Sequence, residues 1–184
     1  VIMYKTTFPY CVVFVSMFTT TMTTGCQQQS SLYFGTVEPR HGPKELWINN
    51  SSEPEWLDPG RCSDSTGGEI IWNTFEGLVQ AHPATLKPLP AIATHWDISD
   101  DGRVYRFYLR PSFWSDGHPL TADDFVFALQ RLVDPQTGSK YASNGFIFQQ
   151  GLAISRGEAA VNTLGVRALD SHTLEIELVD PLPY

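Results

Sequence analysis

Residues 104–110, Val-Tyr-Arg-Phe-Tyr-Leu-Arg, alternate in character and follow closely on the turn sequence Asp100-Asp101-Gly102. In an extended chain Tyr105, Phe107 and Leu109 fall on one side and Arg106, Tyr108 and Arg110 on the other, so one face is apolar and the other cationic and aromatic. This spacing predicts a strand over Val104 to Arg110, joined through the turn to a strand over Trp96 to Ser99. A second hairpin is predicted where Val166 to Ala168 and Thr173 to Leu178 flank Asp170-Ser171-His172. There Leu174, Ile176 and Leu178 face one way and Glu175 and Glu177 the other.

Helical spacing lies before and between these hairpins. Thr66 and Glu69 stand at capping-box spacing, and Ile71, Phe75 and Leu78 share a face, which predicts a helix from about Gly68 to Glu76. The turn Ser115 to Pro119 leads to Thr121, with Asp124 at the acidic position of a second box and Phe125, Leu129 and Leu132 on one face behind it. Asp134-Pro135 ends that helix, because proline lacks a donor and disfavours helical geometry in its predecessor. Leu46 to Ile48 is a short strand candidate, and Asn49 to Pro59 a loop. Hairpins and amphipathic helices without regular β-α-β alternation predict a mixed α/β (α+β) fold with several antiparallel strands.

The beginning of the chain has another character. Lys5 is the only charged residue before Val37, Phe8 to Phe18 is apolar, and a Thr-rich run ends in Gly25-Cys26. Eleven apolar residues fall short of the ~20 that span a bilayer, so the layout is that of a secretory signal peptide. Thr23-Thr-Gly-Cys26 resembles a bacterial lipobox, with Thr23 where the motif prefers Leu, which makes Cys26 the expected lipidation site. The expected organisation is a signal peptide over 1–25, a polar lipid-proximal tether over 26–44 and a folded part beyond. With Cys11 in the leader and Cys26 carrying lipid, Cys62 is the one remaining thiol, and no intrachain disulfide can form.

A net charge of -8 argues against a nucleic-acid partner. His41, His82, His95, His118 and His172 never stand at metal-ligand spacing, and no Gly-x-Ser-x-Gly elbow, phosphate loop or dinucleotide fingerprint occurs. Asp100/Asp101 and Asp123/Asp124 read as turn and helix-cap residues rather than acid–base pairs. No catalytic residue, no metal and no cofactor is therefore expected. Core packing accounts for most of Trp47, Trp56, Trp72, Trp96 and Trp114, with one or two available to line a cleft.

Leu57-Asp-Pro-Gly60 and Asn73-Thr-Phe-Glu-Gly-Leu78 resemble motifs of the extracytoplasmic solute-binding proteins of oligopeptide and dipeptide transporters, solute-binding family 5. Pro90 to Gly102, Tyr105 to Arg110, Phe113 to Gly117, Pro119 to Phe125, Arg131 to Pro135, Thr173 to Leu178 and Pro181 to Tyr184 continue the resemblance in order. It implies a periplasmic-binding-protein-like type II fold, with 45–75 starting the first lobe, 76–184 forming most of a subdomain inserted in it, and the second lobe absent from an N-terminal fragment. It also implies an oligopeptide ligand, ABC permease membrane subunits as partners, and a lipid-anchored place in the periplasm, on the extracytoplasmic face of the membrane. In such relatives the segment after Leu-Asp-Pro pairs with the main chain of the bound peptide. The matching residues are Ser63, Asp64 and Ser65, which would otherwise serve as turn formers or a helix cap. Tyr141 matches a family tyrosine near the ligand, against packing as its alternative role. Dipeptide, nickel-complex and haem ligands also occur in the family, and an incomplete gene product that binds nothing stays open. An exported hydrolase would need a constellation that the sequence lacks.

Overall fold

The two hairpins read from the sequence join into a single antiparallel sheet. The computed structural model describes residues 50–182, so the leader, the tether, Cys26 and the Leu46–Ile48 strand lie outside the described residues. An irregular stretch leads to α1 (Ser65–Thr74), then a small hairpin of β1 (Val79–Ala81) and β2 (Pro88–Pro90). There follow β3 (Ala93–Ile98), β4 (Val104–Leu109), a short pair of β5 (Ser112–Phe113) and β6 (Pro119–Leu120), and α2 (Ala122–Val133). A 3-10 turn over Ala142–Ile147, α3 (Gly151–Ser155), a second 3-10 turn over Val161–Thr163, β7 (Val166–Asp170) and β8 (Thr173–Glu177) complete the order. The four long strands stand in the order β3-β4-β8-β7, with Val104 opposite Glu177 and Tyr108 opposite Thr173 at the central seam.

One face of this sheet is the core. Leu109, Val166, Leu174 and Ile176 are buried there with Ala122 and Val133 of α2, Ile154 of α3 and Leu164, while Tyr105, Phe107 and Leu129 pack against them. The alternation that predicted the strands is thus the alternation between this packed face and the polar one. On the polar face Arg106, Glu175 and Arg167 stand side by side across three strands, because the register places each arginine directly opposite the carboxylate. Glu175 is only 5% exposed. It accepts from Arg106 Nη2 at 2.7 Å and from Arg167 Nε at 2.8 Å, and Arg106 first, then Arg167, hold its carboxyl below its ordinary value against the opposing effect of burial.

The helix ends follow local chemistry, with one correction. At α2 the Asp124 carboxylate accepts from the Thr121 N–H at 2.7 Å, and the helix stops at Val133, two residues before Pro135, as the sequence predicts. At α1 the cap is Asp64, not Thr66: Asp64 Oδ1 accepts from the Gly67 N–H at 2.7 Å and the helix begins at Ser65, ahead of the expected Gly68. A second correction concerns the tryptophans. Among the described residues the core contains no tryptophan: Trp56, Trp72 and Trp114 are exposed and Trp96 is half-buried, because they sit on the loop, α1, a turn and the edge strand β3.

Leu174 is fully buried at the centre of the sheet. Leu174→Ala lowers stability by about 2–5 kcal/mol, read as a lower urea midpoint with an unchanged slope.

Candidate functional site

The segment ahead of α1 is built on Asp58. Its carbonyl accepts from the N–H groups of Arg61 (3.0 Å) and Cys62 (2.9 Å), and its carboxylate from the Gly60 N–H (2.9 Å), closing a tight turn around Pro59. The same carboxylate takes a bidentate pair from Arg131 of α2, at 2.6 and 3.1 Å. The Arg131 guanidinium beside Asp58 holds that carboxyl below the usual carboxylate value. Because α2 is packed on the sheet, the turn is fixed to the core. The chain leaves it through the buried Cys62 and reaches Asp64 in an extended conformation, φ -98° and ψ 155°.

Beside this segment lies a groove of about 620 Å³. Ser63 and Asp64 form one edge, Gly68, Ile71 and Trp72 of α1 with Phe75 at its end form a wall, and Tyr141 also lines the groove. The Tyr141 hydroxyl is 3.5 Å from the Ser63 carbonyl oxygen. Among the described residues the Ser63 N–H has no protein acceptor, and its carbonyl has only that long contact. The Ser63 N–H is thus left without a protein partner beside the groove, and its carbonyl holds only a long contact that a donor on an extended ligand chain can replace.

Three of the four ligand residues taken from the resemblance, Ser63, Asp64 and Tyr141, are brought together here. Ser65 is placed elsewhere: it is the exposed first residue of α1 and does not line the groove. The shared face of Ile71 and Phe75, from which the helix is predicted, is the groove wall. Trp72 is 77% exposed and Phe75 48%. Asp64 carries the negative charge of the edge, its carboxyl held below its ordinary value first by the Gly67 N–H, while Glu76 is matched by Arg110 at 2.7 Å. Sequence reasoning quoted both Asp58 and Arg131 within motifs but gave no sign that they meet. Among the described residues no group of three or more His, Cys, Asp or Glu could hold a metal ion, and no helix is long and apolar enough to cross a membrane.

Asp58→Asn costs about 1–2 kcal/mol near neutral pH, between the limits for exposed and buried pairs. The Asp58 carboxyl is depressed in the folded chain, so its contribution is complete above the ordinary value of 3.8 and is lost as pH falls through the folded value. The difference in urea stability between wild type and Asp58→Asn shrinks at pH below 3.8.

The sequence pattern described as "Bacterial extracellular solute-binding proteins, family 5 Middle" matches residues 87–184. The chain is 44% identical over 148 residues to the "Probable deoxycholate-binding periplasmic protein YgiS" of Escherichia coli K12, covering 77% of this chain and 27% of that protein. It is 41% identical over 145 residues to the periplasmic oligopeptide-binding protein OppA of the same organism, covering 74% and 25%. Among solved structures, the substrate-binding domain of an oligopeptide ABC transporter from Bacillus anthracis superposes with a TM-score of 0.67 at 43% identity, over 70% of this chain and 25% of that one. Haemophilus influenzae OppA in complex with RPPGFSPFR gives 0.69 at 34% identity, over 74% and 27%. The chain therefore spans about a quarter of the length of these relatives. Over the matched part it has the mixed α/β fold of type II periplasmic binding proteins.

Proposed function

The chain belongs to family 5 of the bacterial extracellular solute-binding proteins, and from that premise we propose that it serves the extracytoplasmic peptide-binding component of an ABC transporter, capturing oligopeptides and passing them to permease subunits. In this reading residues 45–75 open the first lobe and 76–184 form most of its inserted subdomain. The observation that carries it is the unpartnered main-chain N–H of Ser63 beside a groove, next to a carbonyl held only by a long contact from Tyr141. Backbone pairing of this kind grips any peptide irrespective of side chain, which suits a carrier of mixed peptides. Two such bonds at a net ~0.5–1.5 kcal/mol each do not outweigh an association cost of at least ~4 kcal/mol, so other walls of the site must add contacts. The reading assigns binding without turnover and no catalytic residue.

The similarity to the protein named for deoxycholate favours a second reading, an amphipathic steroid acid lying on the apolar wall of α1. The two are separated by titrating Ala-Phe-Ala and deoxycholate into the protein by calorimetry. Ser63→Pro removes one main-chain donor and weakens the tripeptide about three- to tenfold. An unaltered tripeptide affinity in that variant would refute the pairing, and binding of deoxycholate alone would establish the second reading.

The proposed lipid anchor is a diacylglycerol thioether at Cys26. Each buried methylene contributes about 0.8 kcal/mol and a single acyl chain holds only marginally, so a two-chain anchor suits a protein that must stay at the membrane. Cys26→Ser moves the protein from the membrane to the soluble fraction. Unchanged partition together with unchanged electrophoretic mobility would count against the anchor.

A further inference from the structure

The tandem glycines at the start of α1 have different causes. A Cβ at Gly67 would stand 2.6 Å from the Trp56 carbonyl oxygen and 2.7 Å from Cys62 Sγ, so no larger residue fits there. A Cβ at Gly68 would meet nothing within 4 Å, and the residue is without the positive φ that favours glycine. Glycine inside a helix is less favourable than alanine, because it has more backbone freedom to lose. Neither packing nor backbone conformation accounts for Gly68. Its position does, because Gly68 lines the groove, with Ile71 and Trp72 three and four residues further along the same face.

We propose that Gly68 is a specificity-determining residue: the missing side chain leaves open a subsite for a bulky apolar side chain of a ligand whose main chain runs along Ser63 and Asp64. The proposal rests on the peptide-binding reading and deepens it. Trp72, 77% exposed, and Tyr141, 50% exposed, line the same groove as Gly68 and offer aromatic surface largely uncovered by the described residues. An aromatic side chain seated there buries all three groups at once. The nearby Asp64 carboxylate disfavours an acidic side chain, and the pairing of Glu76 with Arg110 leaves no free cation on this wall to attract one. A methyl at position 68 meets no neighbouring atom within 4 Å, so a longer side chain has open groove space to enter.

The test compares Ala-Ala-Ala with Ala-Phe-Ala on the full chain, following the amide signals of Ser63 and Asp64 and the indole N–H of Trp72 by NMR titration. In the wild type both peptides shift the amides, Ala-Phe-Ala alone shifts the indole, and it binds about tenfold more tightly. Gly68→Leu brings the two peptides to within about twofold of each other while Ala-Ala-Ala keeps its affinity; Gly68→Ala, which melts at the same or a higher temperature, gives a smaller loss in the same direction. An undiminished preference for Ala-Phe-Ala in both variants, or an equal loss of both peptides, overturns the subsite and leaves peptide binding standing. Absence of any shift at Ser63 and Asp64 in the wild type overturns the peptide-binding reading, and the subsite with it.

Discussion

The ion pair between Asp58 and Arg131 joins residues 73 positions apart and fixes where the groove edge lies. Without it, the turn at Asp58 is a local device, closed by its own carbonyl and carboxylate and free to swing about its entry. With it, the turn is bolted to α2, and α2 is packed on β7 and β8. Cys62, Ser63 and Asp64 then inherit their positions from the core. The geometry is economical, since one carboxylate both closes the turn through Gly60 and accepts the arginine. A lysine at 131 could not reproduce the two-pronged contact, for a point charge satisfies one oxygen at a time.

A second carboxylate organises the opposite side of the molecule. Glu175 lies under Arg106 and Arg167 on the polar face of the sheet, and both neighbours reach it only when β4, β8 and β7 stand in the observed register. A slip of one residue would turn Leu174 or Ile176 outward and leave the carboxylate facing the core. The ion triad and the apolar face therefore specify the same alignment, one by attraction and the other by burial.

Local patterns were legible and distant pairings were not. The hairpins of β3–β4 and β7–β8 are visible in the alternation of 104–110 and 173–178 because period two is a property of a few neighbouring residues. The joining of β4 to β8 leaves no local mark, for it is decided by which apolar faces find each other after collapse. The β1–β2 hairpin escaped because its turn holds Leu86 at φ 57°, where glycine or asparagine is the usual signal. For α1, two polar residues could have capped the helix, and close packing of Gly67 against Cys62 and the Trp56 carbonyl favoured Asp64. Ser63, Asp64 and Tyr141 were reached through resemblance to a family, and no periodicity marks them. The face of Ile71 and Phe75 was legible as helical but not as a groove wall, because an apolar helical stripe looks the same whether it meets a core or a groove.

The strand order has a consequence for how this sheet meets other chains. Its central seam, β4 with β8, is regular, whereas each outer strand carries a shift in register, between Ala93 and His95 in β3 and between Ala168 and Asp170 in β7. Such irregularities kink an edge and interrupt the row of free backbone groups that a foreign strand would need. Asp97 and Arg167 add charge on the same two borders. The sheet is thereby guarded at both margins against added strands, and the unpartnered N–H of Ser63 lies apart from it, beside the wall of α1 rather than on a sheet edge.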